Sequence, residues 1–248
     1  MTKVYVITGA SRGIGLELVR QILAKNACTA IVVGTVRDEI KSRSAFESIA
    51  SNSGGRLKLV KLDTTSEESI KGAAEHVSRF FPDGIDVLIN NAGIMERDPS
   101  DVEAKASTLE STFHTNVLGP ILVGQYFLPL LRKRTTRIIA NMSSPLGIVG
   151  AQILPGSGLL AYRMSKASLN MVTTRWAKEL ASENFIVVSY SPGWVKTDMG
   201  GPAGMLTVEE SVSGMVSTLF RLKEEDSGTF IHTDGKVMPW GVPKSAAM

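Results

Sequence analysis

Two residues in the stretch "AYRMSK" (161–166) are of types that can carry out proton chemistry together. Tyr162 and Lys166 stand at i and i+4, so on a helix they share one face, one turn apart. One reading is structural: the phenol packs into the core, and the lysine runs its stem along apolar surface to keep its ammonium in water. The other is chemical: a cation beside a phenol favours the phenolate and lowers its pKa, so the tyrosine becomes a proton donor near neutral pH. An unperturbed phenol, at a pKa of about 10, is a poor partner there, and the lysine must bring it down by about two or more.

A second candidate lies at the other end of the chain. The apolar run "VYVIT" (4–8) enters "TGASRGIG" (8–15). Gly9, Gly13 and Gly15 let backbone approach a ligand closely and let the next helix press on a sheet. The first N–H groups of that helix present partial positive charge to a pyrophosphate. Gly9, Ser11, Arg12, Gly13, Ile14 and Gly15 are the residues placed to line such a site. The spacing is G-x-x-x-G-x-G rather than the general dinucleotide G-x-G-x-x-G.

Charge at the end of the second apolar run selects the nucleotide. A carboxylate there bonds the ribose hydroxyls of NAD, but this chain reads "GTVRDE", with Arg37 at that point and Arg12 in the glycine loop. Two guanidiniums around one spot suit a 2′-phosphate and hence NADPH. One residue of register would put Asp38 there instead. Asp63, ending the third run, is placed to bond the adenine amino group.

The elements that must position these residues alternate along the chain. Strands are expected at 4–8, 29–36, 56–63, 85–90, 136–143, 185–191 and 228–233. Between them fall a helix with Ile14, Leu18 and Ile22 at every fourth residue, a polar helix to about Ser53, and one capped by Thr65 or Ser66. Further helices are expected at 101–113, 115–133 with Pro120 in its first turns, 162–182 and 207–223. The alternation defines an α/β fold: one domain over 1–248, a doubly wound parallel sheet of the Rossmann-like kind with helices on both faces. Ligands then sit beyond the carboxyl ends of the strands, at the loops after strands one, four, five and six.

Motifs occur at those loops. "NNAG" (90–93), "NMSSPLG" (141–147) and "SPGWVKTDMG" (191–200), with "TGASRGIG" and "YRMSK", resemble the short-chain dehydrogenase/reductase family over essentially the whole chain. "YRMSK", "PGWVKTDMG" and the closing "TDG…PW" are most similar to its carbonyl-reductase-like (C-factor-like) members. The resemblance implies a catalytic tetrad of Asn116, Ser144, Tyr162 and Lys166; Ser144 is preferred over Ser143 because Gly147 completes the family's S-x-x-G. It implies hydride transfer from NADPH to a ketone or aldehyde carbon. Tyr162 would then give the oxygen a proton, Ser144 would polarise it, and Lys166 would bond the nicotinamide ribose, while Asn116 holds a water leading to solvent. Asn90, Ala92 and Gly93 would pass beneath the adenosine side, and Pro192, Gly193, Val195 and Thr197 would hold the carboxamide end. Turn formation by Pro192 and Gly193, and a strand-bridging role for Asn90, are the structural alternatives.

The pocket expected from Leu146, Ile148, Leu154, Trp194 and the "MGGPAGML" stretch is apolar, which suits a small hydrophobic ketone, aldehyde or quinone. Rival readings are an alcohol or steroid dehydrogenase working oxidatively, a polyketide ketoreductase, and a non-catalytic NADP(H)-binding regulator. The family also implies a homodimer or homotetramer through the helices at 115–133 and 162–182. Lys+Arg 27 against Asp+Glu 24, a net charge of +3 without a basic block, gives no argument for nucleic acid or membrane partners. One cysteine, Cys28, excludes an internal disulfide and reads as a packing thiol, and His76, His114 and His232 are too far apart for a zinc site. The N-terminal apolar stretch is too short for a signal peptide, and the run at 117–131 is broken by Gly119, Pro120, Gln125 and Pro129. A cytoplasmic setting and no metal are expected.

Overall fold

The structure is a computed structural model that describes residues 2–25, 29–150 and 157–241, so Cys28 and Leu154 lie outside the described residues. Eight strands form one sheet: β1 (Lys3–Ile7), β2 (Ala30–Val36), β3 (Leu57–Lys61), β4 (Val87–Asn90), β5 (Ile138–Met142), β6 (Ile186–Ser191), β7 (Phe230–His232) and β8 (Val237–Met238). Their order is β3-β2-β1-β4-β5-β6-β7-β8. The sheet is parallel except for β8, which pairs antiparallel to β7 through Ile231 and Val237 and was not expected. Two residues are too short a run for alternation to show in sequence.

The helices are α1 (Gly13–Lys25), α2 (Glu39–Asn52), α3 (Glu67–Phe80), α4 (Ala106–Phe113), α5 (Gly119–Arg132), α6 (Leu160–Glu179) and α7 (Val208–Leu219). They cover both faces. Tyr5 and Ile7 of β1 face one core with Leu18 and Ile22 of α1, Phe46 of α2 and Val212 of α7. Val4 and Val6 face the other, with Ile70 of α3, Phe127 of α5 and Ala177 of α6. A strand buried on both sides must be apolar at every position, which is why β1 reads as a continuous run. Phe127 is fully buried, and truncating it to alanine should cost about 3–5 kcal/mol.

Several boundaries move. The helix expected at 101–113 begins at Ala106, because Asp101 accepts from the Leu159 N–H instead of entering a helical turn. Ser66, not Thr65, caps α3 through the Ser69 N–H. Residues His114–Leu118 form a turn of π-helix joining α4 to α5, and it carries Asn116. Such one-turn insertions concentrate at functional sites. The chain order of strands reverses between β1 and β4, which puts the ligand crevice over the loops that follow them.

Candidate active site

The glycine loop after β1 is locked to the loop after β4. Gly9 has φ +65, and a Cβ there would come within 2.9 Å of the Ala92 Cα. Asn91 donates from Nδ2 to the carbonyls of Thr8 and Gly9 at 2.9 and 3.2 Å. The Thr8 hydroxyl accepts from the N–H groups of Asn91 and Ala92. Asn91, which the sequence reading passed over, thus clamps the loop. Gly13, at φ +53, faces only the Thr197 methyl, 3.6 Å from where its Cβ would stand. The loops after β1 and β6 therefore approach one another at Gly13, whose positive φ favours glycine, and the backbone there forms a cradle that fits a dinucleotide's diphosphate.

Arg12 does not lie with Arg37. Its guanidinium pairs with Asp198 of the β6 loop at 2.8 Å, both side chains strongly exposed. Asp38 is occupied too: it is the N-cap of α2, accepting from the N–H groups of Ile40 and Lys41, which hold its carboxyl below the usual range. That cap holds Asp38 at the start of α2, directly after Arg37. Arg37 is exposed at the end of β2 and makes no hydrogen bond among the described residues; its charge helps hold the Asp63 carboxyl low, behind the larger effect of the Thr65 N–H. Asp63 Oδ1 accepts from both the N–H and the hydroxyl of Thr65, at 2.9 and 2.7 Å.

Asn90 is a strand bridge. It is buried, in register with Asn141 of β5, and donates to Asn141 Oδ1 at 2.9 Å, while its own Oδ1 has no hydrogen-bond partner among the described residues. Ala92 and Gly93 remain at the crevice, half-buried, and a Cβ on Gly93 would lie 3.7 Å from Lys166 Nζ. Past β6, the Pro192 carbonyl accepts from Ser211 at 2.6 Å and Gly193 takes φ +77. Val195 is buried and bridges Leu206, while Thr197 Oγ1 accepts from the Gly200 N–H at 3.0 Å. Trp194 donates to the Gly200 carbonyl at 2.8 Å, fixing the loop whose apolar face stays exposed. Leu146 and Ile148 are half-buried beyond β5.

Tyr162 and Lys166 share the buried stripe of α6, and Ser144 stands at the end of β5. Ser143 donates to Asn170 at 2.6 Å, two turns along α6, whereas the Ser144 hydroxyl acts on the Tyr162 phenol. Ser144 also accepts from the Leu146 N–H at 3.2 Å. Lys166 Nζ donates to the Met142 carbonyl at 2.8 Å and stands 5.4 Å from the Tyr162 ring centroid. The expected depression of the phenol is absent. Burial pushes Tyr162 up to about 12 against the smaller opposing pull of Ser144, and burial alone takes Lys166 down to about 8. At that distance from the ring, desolvation outweighs the cation.

Asn116 is fully buried and its amide is committed. Oδ1 accepts from the Ile94 N–H at 2.9 Å, and Nδ2 donates to the Ile94 carbonyl and to Ser165 at 2.8 and 3.0 Å. The side chain therefore ties the β4 loop to α6, with both amide hydrogens engaged. Ser165, beside Lys166 in sequence, went unread because a serine inside a helical pattern gives no periodic signal. Among the described residues no helix is long and apolar enough to cross a membrane, and no group of three or more metal-type side chains assembles.

A parallel sheet with a glycine cradle at its switch point and a Ser–Tyr–Lys cluster at the next strand ends defines a dinucleotide-dependent oxidoreductase fold. The sequence matches the family described as short chain dehydrogenase over residues 3–204, and the chain belongs to that family. It is 38% identical to an uncharacterized oxidoreductase of Schizosaccharomyces pombe over 96% of this chain and 98% of that protein. It is 40% identical to the C-signal protein of Myxococcus xanthus, over 63% of this chain and 93% of that one. Among solved structures it is similar to the NADPH-bound carbonyl reductase from chicken fatty liver, with a TM-score of 0.90 and 36% identity over 96% of this chain and 99% of the other. The carbonyl reductase Sniffer of D. melanogaster superposes with a TM-score of 0.89 at 30% identity, over 97% and 100% of the two chains.

Proposed function

We propose that this chain, acting as a single domain, is an NADPH-dependent carbonyl reductase of small hydrophobic ketones and aldehydes. The carrying observation is that Tyr162 and Lys166 are buried on one stripe of α6, with the half-buried Ser144 acting on the phenol and Lys166 Nζ 3.7 Å from where a Cβ on Gly93 would stand. NADPH, when bound, supplies the hydride. Its 2′-phosphate is assigned to Arg37, the guanidinium left free of a hydrogen-bonded partner at the β2 end; the NADPH in the similar chicken reductase supports this choice.

Tyr162 is the proton donor. A phenol held at about 12 still gives its proton readily to an alkoxide, which is about as basic as hydroxide (water pKa about 15.7). The reverse reaction needs a phenolate, which burial of Tyr162 disfavours, and this supports the reading as a reductase. Ser144 polarises the substrate oxygen. Lys166 keeps two N–H donors beyond the one on Met142, and these are assigned to the ribose. Asn116 positions the β4 loop and α6.

The likeness to C-signal favours a second, regulatory reading, against which stands the intact Asn116, Ser144, Tyr162 and Lys166 set. We also assign a homodimer or homotetramer to the exposed apolar side chains on α4 to α6, and a cytoplasmic setting to the chain. The test is NADPH consumption over a ketone and aldehyde panel, with NADH alongside and Tyr162→Phe as the control. Turnover that survives Tyr162→Phe, or none with any carbonyl, refutes the reading.

A further inference from the structure

The last two residues of β5 and the one that follows are each fastened to α6. The side chains of Asn141 and Ser143 and the carbonyl of Met142 all reach α6. Asn141 Nδ2 donates to Thr173 Oγ1 at 3.0 Å, Lys166 Nζ donates to the Met142 carbonyl at 2.8 Å, and Ser143 Oγ donates to Asn170 Oδ1 at 2.6 Å. Gly147 closes the series, since a Cβ there would come within 2.6 Å of the Lys166 carbonyl carbon. The strand end that carries Ser144 and the helix that carries Tyr162 and Lys166 are thus held in one register.

Asn170 is the unexplained member. Tyr162, Lys166 and Asn170 follow at four-residue steps on one buried stripe. Asn170 is 6% exposed, yet its Nδ2 has no hydrogen-bond partner among the described residues. A buried amide satisfied at one end only is costly, and leucine would fill the space with less desolvation. Burial does not account for an asparagine here. The contact with Ser143 does, because Ser143 is the residue immediately before Ser144.

We infer that Asn170 is a positioning residue for the proposed carbonyl reduction, its side-chain oxygen holding Ser143 so that Ser144 meets the Tyr162 phenol. The inference rests on the reductase reading. It gives Asn170 no contact with substrate or cofactor, so its effect falls on turnover and not on dinucleotide binding.

The test uses the full chain with NADPH and the best carbonyl of the panel, comparing Asn170→Leu, Ser143→Ala, the double variant and Asn170→Asp. Asn170→Leu and Ser143→Ala should each lower kcat about tenfold, since small misplacements of a reacting group are expensive. The dissociation constant of NADPH, read from its fluorescence, should stay within about twofold. The double variant should be no slower than the slower single one, as for two halves of one contact. Asn170→Asp, which keeps the acceptor, should recover most of the turnover that Asn170→Leu loses. Unchanged kcat in a folded Asn170→Leu, additive losses, or a loss carried by NADPH affinity would each overturn the inference. If Asn170→Leu does not fold, Ser143→Ala reads the same contact by removing one oxygen, and unchanged kcat there overturns it. An active wild-type enzyme with unimpaired variants sinks this inference alone; a wild-type chain that reduces no carbonyl sinks it together with the reductase reading.

Discussion

Arg12 and Asp198 meet at 2.8 Å and join the glycine loop after β1 to the loop after β6. The pair spans the cradle where Gly13 faces Thr197. Both side chains are strongly exposed, 76% and 77%, and exposed pairs contribute little. A dinucleotide phosphate can therefore take Arg12 away from Asp198 at small cost.

Asp198→Asn is expected to release Arg12 and lower the KM for NADPH by about two- to fivefold, the range an exposed ion pair can supply. The KM for NADH should fall by a similar factor, since both cofactors carry the diphosphate that the cradle beside Arg12 fits. Steady-state kinetics with both cofactors at fixed ionic strength checks this. A shift confined to NADPH would mean that Arg12 meets the 2′-phosphate instead.

Arg37 and Asp38 should separate cleanly by substitution. Arg37→Ala is expected to raise the KM for NADPH by about tenfold or more while leaving NADH nearly unchanged, because a charge-assisted phosphate contact is lost. Asp38→Ala removes the cap of α2 and should lower the melting temperature by a few degrees without altering the NADPH-to-NADH ratio. An Asp38→Ala enzyme with changed cofactor preference would return the ribose-binding role to that carboxylate.

Much of this site was legible because its residues announce themselves through the chain's own periodicity. Strand ends fell where apolar runs met Gly, Asn or Ser, so the loops after β1, β4, β5 and β6 were placed before any coordinates. Ser144 could be preferred over Ser143 on one glycine, and the two serines have different partners on α6, Tyr162 for Ser144 and Asn170 for Ser143. What stayed hidden depends on contacts between distant elements. Asn90 turns to Asn141 because the two share a register across β4 and β5, which no local pattern encodes. Arg12 turns to Asp198, 186 residues away. The Tyr162 pKa was misjudged because i,i+4 spacing says that two groups are close, whereas the direction of the shift is set by how dry the site is.

The face from α4 to α6 leaves Phe113, Leu118, Met164 and Met171 between 40% and 62% exposed. A groove of about 490 Å³ runs between Leu109, Phe113, Leu118 and Met164. If this face joins two copies, replacing Met164 and Met171 together by lysine should convert the oligomer to a monomer, because two desolvated ammonium groups per chain oppose association. Light scattering after size exclusion reads the mass directly. A monomeric wild-type protein at micromolar concentration would dismiss the homo-oligomer.

The two perturbed groups of the site act oppositely on stability as pH rises. Lys166 titrates near 8 in the folded chain and near its ordinary 10.5 in the unfolded one. Between those values the unfolded chain binds a proton that the folded chain does not, so stability rises with pH. Tyr162 keeps its proton to about 12 when folded but loses it near 10 when unfolded, so its effect is a fall in stability above pH 10. Tyr5, also held at about 12, adds to that fall. The window from pH 8 to 10 therefore belongs to Lys166. Urea unfolding should show stability gaining on the order of 2 kcal/mol across it from this group, and Lys166→Met should flatten the gain. Carbonyl reduction should move the other way over the same range: kcat/KM declines above pH 8 as the ammonium is lost, while the phenol stays protonated throughout. A wild-type enzyme whose reduction rate holds steady to pH 10 would show that the charge on Lys166 is not needed for turnover.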